Sequence, residues 1–306
     1  MRLAGVTVFC FFASYALALA ADWARASAWK SWARITTLLF AAAGFVAHTA
    51  FLLNRSAAAN LPPLLGSSQD WLLVLAWLMV LSYLVLTTFD RELAIGLFVL
   101  PLVILMCAAS WLVNDARTAG LDALRGWKLL HASLLVLGML GVLVGFVIAL
   151  MYVVQQRRLK HREPAQPGMR IPSLDRLARL NRWAVLLAFP LLTLGVLTGV
   201  GLAVMGEAAK ANVQLEGSGL LRVLFADPVV VGHLAVWAAM AALFVWLLTS
   251  GRTAGRQVAL LTLWAGGFLL VTLLGLQILT GKKLLHVESW HGRNQPSAIP
   301  DAETCV

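Results

Sequence analysis

The chain has 306 residues, 60% of them hydrophobic and only 12% charged, about half the charged share of an ordinary soluble domain. That composition excludes a water-soluble globular fold and describes a polytopic membrane protein, in which backbone polar groups within the lipid must be paired internally. The formal charge of +10 does not point to nucleic acid, because no Lys/Arg-rich stretch is interleaved with aromatics, and most of the excess reads as positive-inside topology.

Eight apolar runs follow one another, at roughly 3–21, 35–53, 71–89, 94–113, 129–154, 183–205, 229–249 and 257–280, each near the length a transmembrane helix needs. The expected fold is therefore an all-α integral membrane protein of about eight spans. A single membrane domain is expected over 1–290, followed by a short polar tail, 291–306.

The first run imitates a signal peptide, with Arg2 ahead of it and Ala18-Leu19-Ala20 resembling a cleavage site. Parity argues for its retention. Were it removed, Arg157, Arg158, Lys160, Arg162, Arg170, Arg176, Arg179 and Arg182 would fall outside, against the positive-inside rule. Eight retained spans put both termini on the outer side and leave 14 Lys and Arg inside against 10 outside.

The second run carries His48 toward its outer end, and Asn60-Leu61-Pro62-Pro63 marks a turn-rich connection after it. The fifth run opens at Trp127-Lys128-Leu129-Leu130-His131 and has no charged residue until it exits through Gln155-Gln156-Arg157-Arg158. Pro164, Pro167, Gly168 and Pro172 interrupt the basic loop that follows. Ser173 then stands as an N-cap before Leu174, Leu177, Leu180 and Trp183, whose spacing predicts a short interfacial helix feeding the sixth span. Cys10, Cys107 and Cys305 form no Cys-x-x-Cys, so neither thiol–disulfide exchange nor covalent haem attachment is indicated.

Five of the six histidines then fall toward one side. His131 opens the fifth span, His233 opens the seventh, His286 and His291 follow the eighth, and His48 lies within the second. His161 falls in the basic loop, where it is simply solvated. Each of the five also has an ordinary reading as an interfacial or interhelical hydrogen-bonding residue. His48 is the costliest to read that way, because ionisable groups inside spans are rare.

Zinc has no His-x-x-x-His or Cys/His spacing to support it. Haem suits the pattern better. Its iron accepts imidazoles from separate helices, and its propionates favour cations at the water boundary. Lys128 precedes His131, and Lys282 and Lys283 precede His286, so these lysines are candidate propionate partners; Arg125 and Arg222 are further outer-side cations. Each could equally be a snorkelling anchor.

The ordered set of short motifs resembles the cytochrome c assembly family of integral membrane proteins, the HemX/CcsA group, and within it the HemX-like branch. The residues concerned are Phe45-Val46-Ala47-His48, Leu130-His131, the Tyr152…Gln155-Gln156-Arg157-Arg158-Leu159-Lys160 exit, and Ile171-Pro172-Ser173-Leu174. Leu191-Leu192-Thr193-Leu194-Gly195…Thr198-Gly199, Asp227-Pro228, Trp237 and Leu285-His286 complete the set.

The resemblance implies that His131 and His286 are axial ligands of a non-covalent, b-type haem held transiently at the outer face. It also implies that Asp227 and Trp237 are the remnant of a tryptophan-rich segment. The family pattern Trp-x-Trp-Asp-Pro-Lys-Glu is replaced here by Leu224-Phe225-Ala226-Asp227-Pro228-Val229-Val230. His48 and His233 are candidates for a second haem site. The implied setting is a bacterial inner membrane, with other assembly membrane proteins and apocytochrome c as partners. The alternative is a membrane-anchored regulator whose Arg157–Arg182 loop docks a cytoplasmic tetrapyrrole-synthesis enzyme. A transporter fits less well, since the spans hold almost no ionisable residues besides His48. No nucleophile–base constellation or phosphate loop suggests an enzyme.

Overall fold

In a computed structural model, residues 7–28, 31–89, 95–113, 124–161, 171–210, 228–249 and 255–291 are described. They form eight α-helices and one 3-10 turn, with no strand among them. The helices are α1 (Val8–Ala28), α2 (Ser31–Ala59), α3 (Ser68–Phe89), α4 (Gly96–Ser110), α5 (Arg125–Lys160), α6 (Leu174–Lys210), α7 (Pro228–Thr249) and α8 (Gly255–His291). Seven are long and apolar enough to cross a membrane.

The exception is α4, whose 15 residues rise only about 22 Å. It runs antiparallel to α1, with Gly96 against Asp22 at one end and Trp111 against Phe12 at the other. The turn through Val113 carries it further, so the fourth apolar run still returns across the bundle.

Two groups of four helices pack side by side. In the first, α1 lies against α2 and α4, and α3 against α2 and α4. In the second, α5 lies against α6 and α8, and α7 against both α6 and α8. The groups join where α5 meets α3 and α4, and through the 3-10 turn Pro63–Leu65, which also reaches α5.

The most extensive contact in the molecule is between α5 and α6. Lipid tails are as apolar as leucine, so helix association in a bilayer depends on close packing, and small residues provide it. On α5, Gly138 faces Leu192, Gly141 faces Ala188 and Gly145 faces Ala184. On α6, Gly195 faces Leu135 and Gly199 faces His131. Buried Asn181 of α6 donates to Thr262 of α8 at 3.2 Å and ties a third helix to this seam.

Two helix boundaries differ from the sequence reading. α2 runs on to Ala59 through Arg55, because that guanidinium ion-pairs with buried Asp70 at the start of α3 and hydrogen-bonds Ser67 and Gln69. His48 consequently lies well inside a 29-residue helix, though still nearer the Ala59 end, as expected. The short helix expected after Ser173 is continuous with the sixth span as one helix of 37 residues. Ser173 does cap it, its hydroxyl accepting from the Arg176 amide at 3.4 Å.

The seam yields a stability prediction. A methyl at Gly138 would sit 2.7 Å from the Leu192 side chain and 2.9 Å from its backbone nitrogen. Gly138→Ala should therefore cost about 1–3 kcal/mol, the usual range for overpacking. Gly275→Ala, with nothing within 4 Å among the described residues, should not. Thermal unfolding in detergent compares the two, and equal midpoints would refute the seam.

Candidate histidine site at one end of the bundle

The site is built where the α5–α6 seam ends. Trp127 and His131 lie one turn apart on α5 and both face α6. The Trp127 indole N–H donates to the Thr198 carbonyl at 2.9 Å. His131 Nδ1 lies 2.8 Å from the Gly195 carbonyl oxygen and 3.3 Å from the Thr198 hydroxyl. A carbonyl can only accept, so Nδ1 carries the proton, and in the neutral ring the lone pair is left on Nε2. The ring is half-buried and lies against Gly199, where an added Cβ would be 2.6 Å from Cε1.

α7 approaches the same stretch of α6 from its other side. The Trp237 indole donates to the Thr193 hydroxyl at 3.0 Å, and its ring stacks near Phe189. His233 lies one helical turn before Trp237, toward the level of Thr198. The His233 side chain lies within charge reach of His131. The structure thus brings together two of the histidines singled out from sequence. That pairing depends on α7 packing against α6, which no local motif announces.

Lys128 is half-buried beside this site, and Arg125 donates to the Asn60 carbonyl at 3.3 Å, anchoring α5 to the end of α2. Lys282, Lys283 and His286 lie on the helical backbone of α8, where side chains are described only to Gly275. Asp227 and Arg222 lie outside the described residues, and Trp237 serves as a packing and hydrogen-bonding residue. His161 is exposed at the opposite end of α5.

His48 has a different environment. It is fully buried, stacked on Phe11 with centroids 4.1 Å apart and planes 2° from parallel. Its Nδ1 shares a hydrogen bond of 3.3 Å with the Tyr15 hydroxyl, while Nε2 has no partner among the described residues. Gly44, one turn earlier, makes room for the Tyr15 ring. His48 therefore belongs to the α1–α2 contact, whereas His233 stands beside His131. Measured in helical rise from the Asn60–Arg125 contact, His48 lies about 18 Å deep and His131 about 9 Å. No group of three or more His, Cys, Asp or Glu suited to a metal ion occurs among the described residues.

A family model described as "Cytochrome C assembly protein" matches residues 65–283. The match includes His131, His233, Lys282 and Lys283; His48 precedes it and His286 follows it by three residues. No curated protein and no solved structure matches the chain.

The His131–Gly199 contact is open to test. Gly199→Ala should push the imidazole off α6, break its bond to Gly195, and raise its rate of modification by diethylpyrocarbonate severalfold. Peptide mass spectrometry would report that rate, and an unchanged value would contradict the geometry.

Proposed function

The chain belongs to the cytochrome c assembly family, with a role in cytochrome c biogenesis, and we propose that it holds haem non-covalently at the His131 end through His131 and His286. The observation that carries this reading is the hydrogen bond from His131 Nδ1 to the Gly195 carbonyl. Histidines that bind metal typically donate their other ring N–H to a carbonyl or carboxylate, which orients the ring and raises its basicity. His131 is already in that arrangement, with Gly199 allowing the ring to lie against the α6 backbone.

The donor set fits haem better than a hydrolytic metal. Imidazoles come from separate helices, the surroundings are apolar and aromatic, and lysines lie at the boundary for the propionates. Lys128 is the propionate candidate on α5, and Lys282 and Lys283 are those on α8. His233 is a neighbouring imidazole able to take the place of His286. Bound with two imidazoles, haem supplies an iron with no open coordination position, suited to carriage or presentation and not to oxygen chemistry.

The basic exit of α5, Arg157, Arg158 and Lys160, lies at the opposite end of that helix from His131. By the positive-inside rule this turns His131 toward the outer side of a bacterial inner membrane, where apocytochrome c and other assembly proteins would meet it. The HemX-like branch is the finer placement, because the tryptophan-rich segment is replaced.

A second reading rests on Arg176, Arg179 and Arg182, exposed in the first turns of α6. There the protein would be a membrane-anchored scaffold for a cytoplasmic tetrapyrrole-synthesis enzyme. A deletion strain separates the two: loss of c-type cytochromes favours haem handling, and normal cytochromes with altered enzyme abundance favour the scaffold.

The purified protein should show a haem Soret band that a His131→Ala, His286→Ala double variant loses. Normal haem content in that variant would sink the ligand assignment. His233→Ala alone should leave the band in place; its loss there would make His233 the partner of His131.

A further inference from the structure

At the end of the bundle opposite His131, α1, α2 and α3 enclose a narrow polar cleft. Its inner part has room for about one water molecule and opens outward, lined chiefly by Asp22, Arg25, Arg34, Thr37, Tyr83 and Thr87. The haem reading makes no use of it.

Tyr83 is 97% buried, yet its hydroxyl has no hydrogen-bond partner among the described residues. That hydroxyl lies within charge reach of Asp22, Arg25 and Arg34 together. The hydroxyl opens onto the cleft, so it can donate to whatever enters.

The charges say what that something is. Asp22 is buried and takes Arg25 on one oxygen, at 2.8 and 2.9 Å, while the other faces Gly96. Asp22 therefore holds Arg25 in place and balances its charge. Arg34, half-buried, has no acidic partner among the described residues, so the described lining of the cleft carries one positive charge in excess. Guanidinium and hydroxyl donors around a net positive charge suit a phosphate.

The surroundings say where the phosphate comes from. Trp23, Ile35 and Leu39, beside Asp22, Arg34 and Leu38, are each more than 60% exposed. Large apolar side chains turned outward on a membrane protein face lipid, and tryptophan near a helix end marks the headgroup level.

We propose that this cleft binds the phosphate of a phospholipid headgroup from the adjoining leaflet, with Arg34 and Arg25 taking its oxygens and the Tyr83 hydroxyl donating to one of them. Asp22 acts as a positioning residue for Arg25. The cleft is narrow, so only the phosphate edge enters, and the acyl chains lie along the exposed face formed by Ile35 and Leu39.

The test uses the full chain in mild detergent and native mass spectrometry. The probes are phosphatidylglycerol, phosphatidylethanolamine, the phosphate-free diacylglycerol and inorganic phosphate. Wild type should retain one phospholipid in preference to diacylglycerol. Arg34→Ala should weaken retention about tenfold, as loss of a charge-assisted contact implies, and Tyr83→Phe severalfold. Arg179→Ala, a surface control, should change nothing, and unfolding midpoints confirm that the variants are folded. Undiminished retention in Arg34→Ala and Tyr83→Phe would overturn the site. Equal binding of diacylglycerol would overturn phosphate recognition. Competition by inorganic phosphate at matching concentration would overturn the lipid as its source. The haem spectrum should be the same in all three variants.

Discussion

The close approach of α5 and α6 is the constraint on which the rest depends. Within lipid, no hydrophobic drive pulls these helices together, so their pairing rests on what fits between them. Gly138, Gly141 and Gly145 open one helix, and Gly195 and Gly199 open the other. The remaining faces are then committed. α8 reaches α5 through Thr262 and Gly266, which meet Gly145 and Phe146, and α7 reaches α6 through Trp237 and Phe244. The histidine site is the last turn of this seam. A larger residue at Gly138 would move the frame from which His131 hangs, although neither touches the other.

The same closeness explains how His131 reaches a main-chain carbonyl in an unbroken helix. A carbonyl oxygen has two lone pairs, and a helix uses one. The second is shielded in most helices by neighbouring side chains. With hydrogen in place of a side chain at Gly199, the imidazole lies on the backbone and takes that second position. Thr198 adds a hydroxyl 3.3 Å from Nδ1 while bonding to the carbonyls of Leu194 and Gly195. The ring is thus oriented by main chain, which a distant substitution does not readily disturb.

Much of this fold was legible in the sequence, because a helix in lipid must be apolar over a length set by the bilayer. The eight apolar runs correspond to eight helices, and the Ser173 cap is where a serine ahead of leucines at helical spacing should put it. Boundaries failed where a charge found a distant partner. Arg55 reads as the end of a span until Asp70, fifteen residues on, neutralises it. The spacing of Leu174, Leu177, Leu180 and Trp183 suggested a short helix feeding the sixth span, and nothing in Leu174–Arg182 breaks the backbone, so the two are one helix. The histidines were visible as residues; their grouping was not. His233 comes within charge reach of His131 only through the order in which α5, α6 and α7 pack. The cleft of Asp22, Arg34 and Tyr83 draws on three helices, and no one of those residues stands out alone.

Depth then separates the two best-formed histidines by what each can do. His48 sits about 18 Å along the helix from the Asn60 level, closed in by Phe11 and Tyr15, with no exposed surface. Anything bound to its Nε2 would have to part α1 from α2 to leave. His131 lies at about half that depth, half-exposed, with its ring backed by α6. A ligand that must be taken up and passed on needs an imidazole fixed on one side and free on the other. His131 meets both conditions, and His48 meets only the first. The inner histidine is better suited to holding α1 and α2 together through its stack and hydrogen bond, and the proposed haem exchange would fall to the end of the bundle where the glycine seam stops.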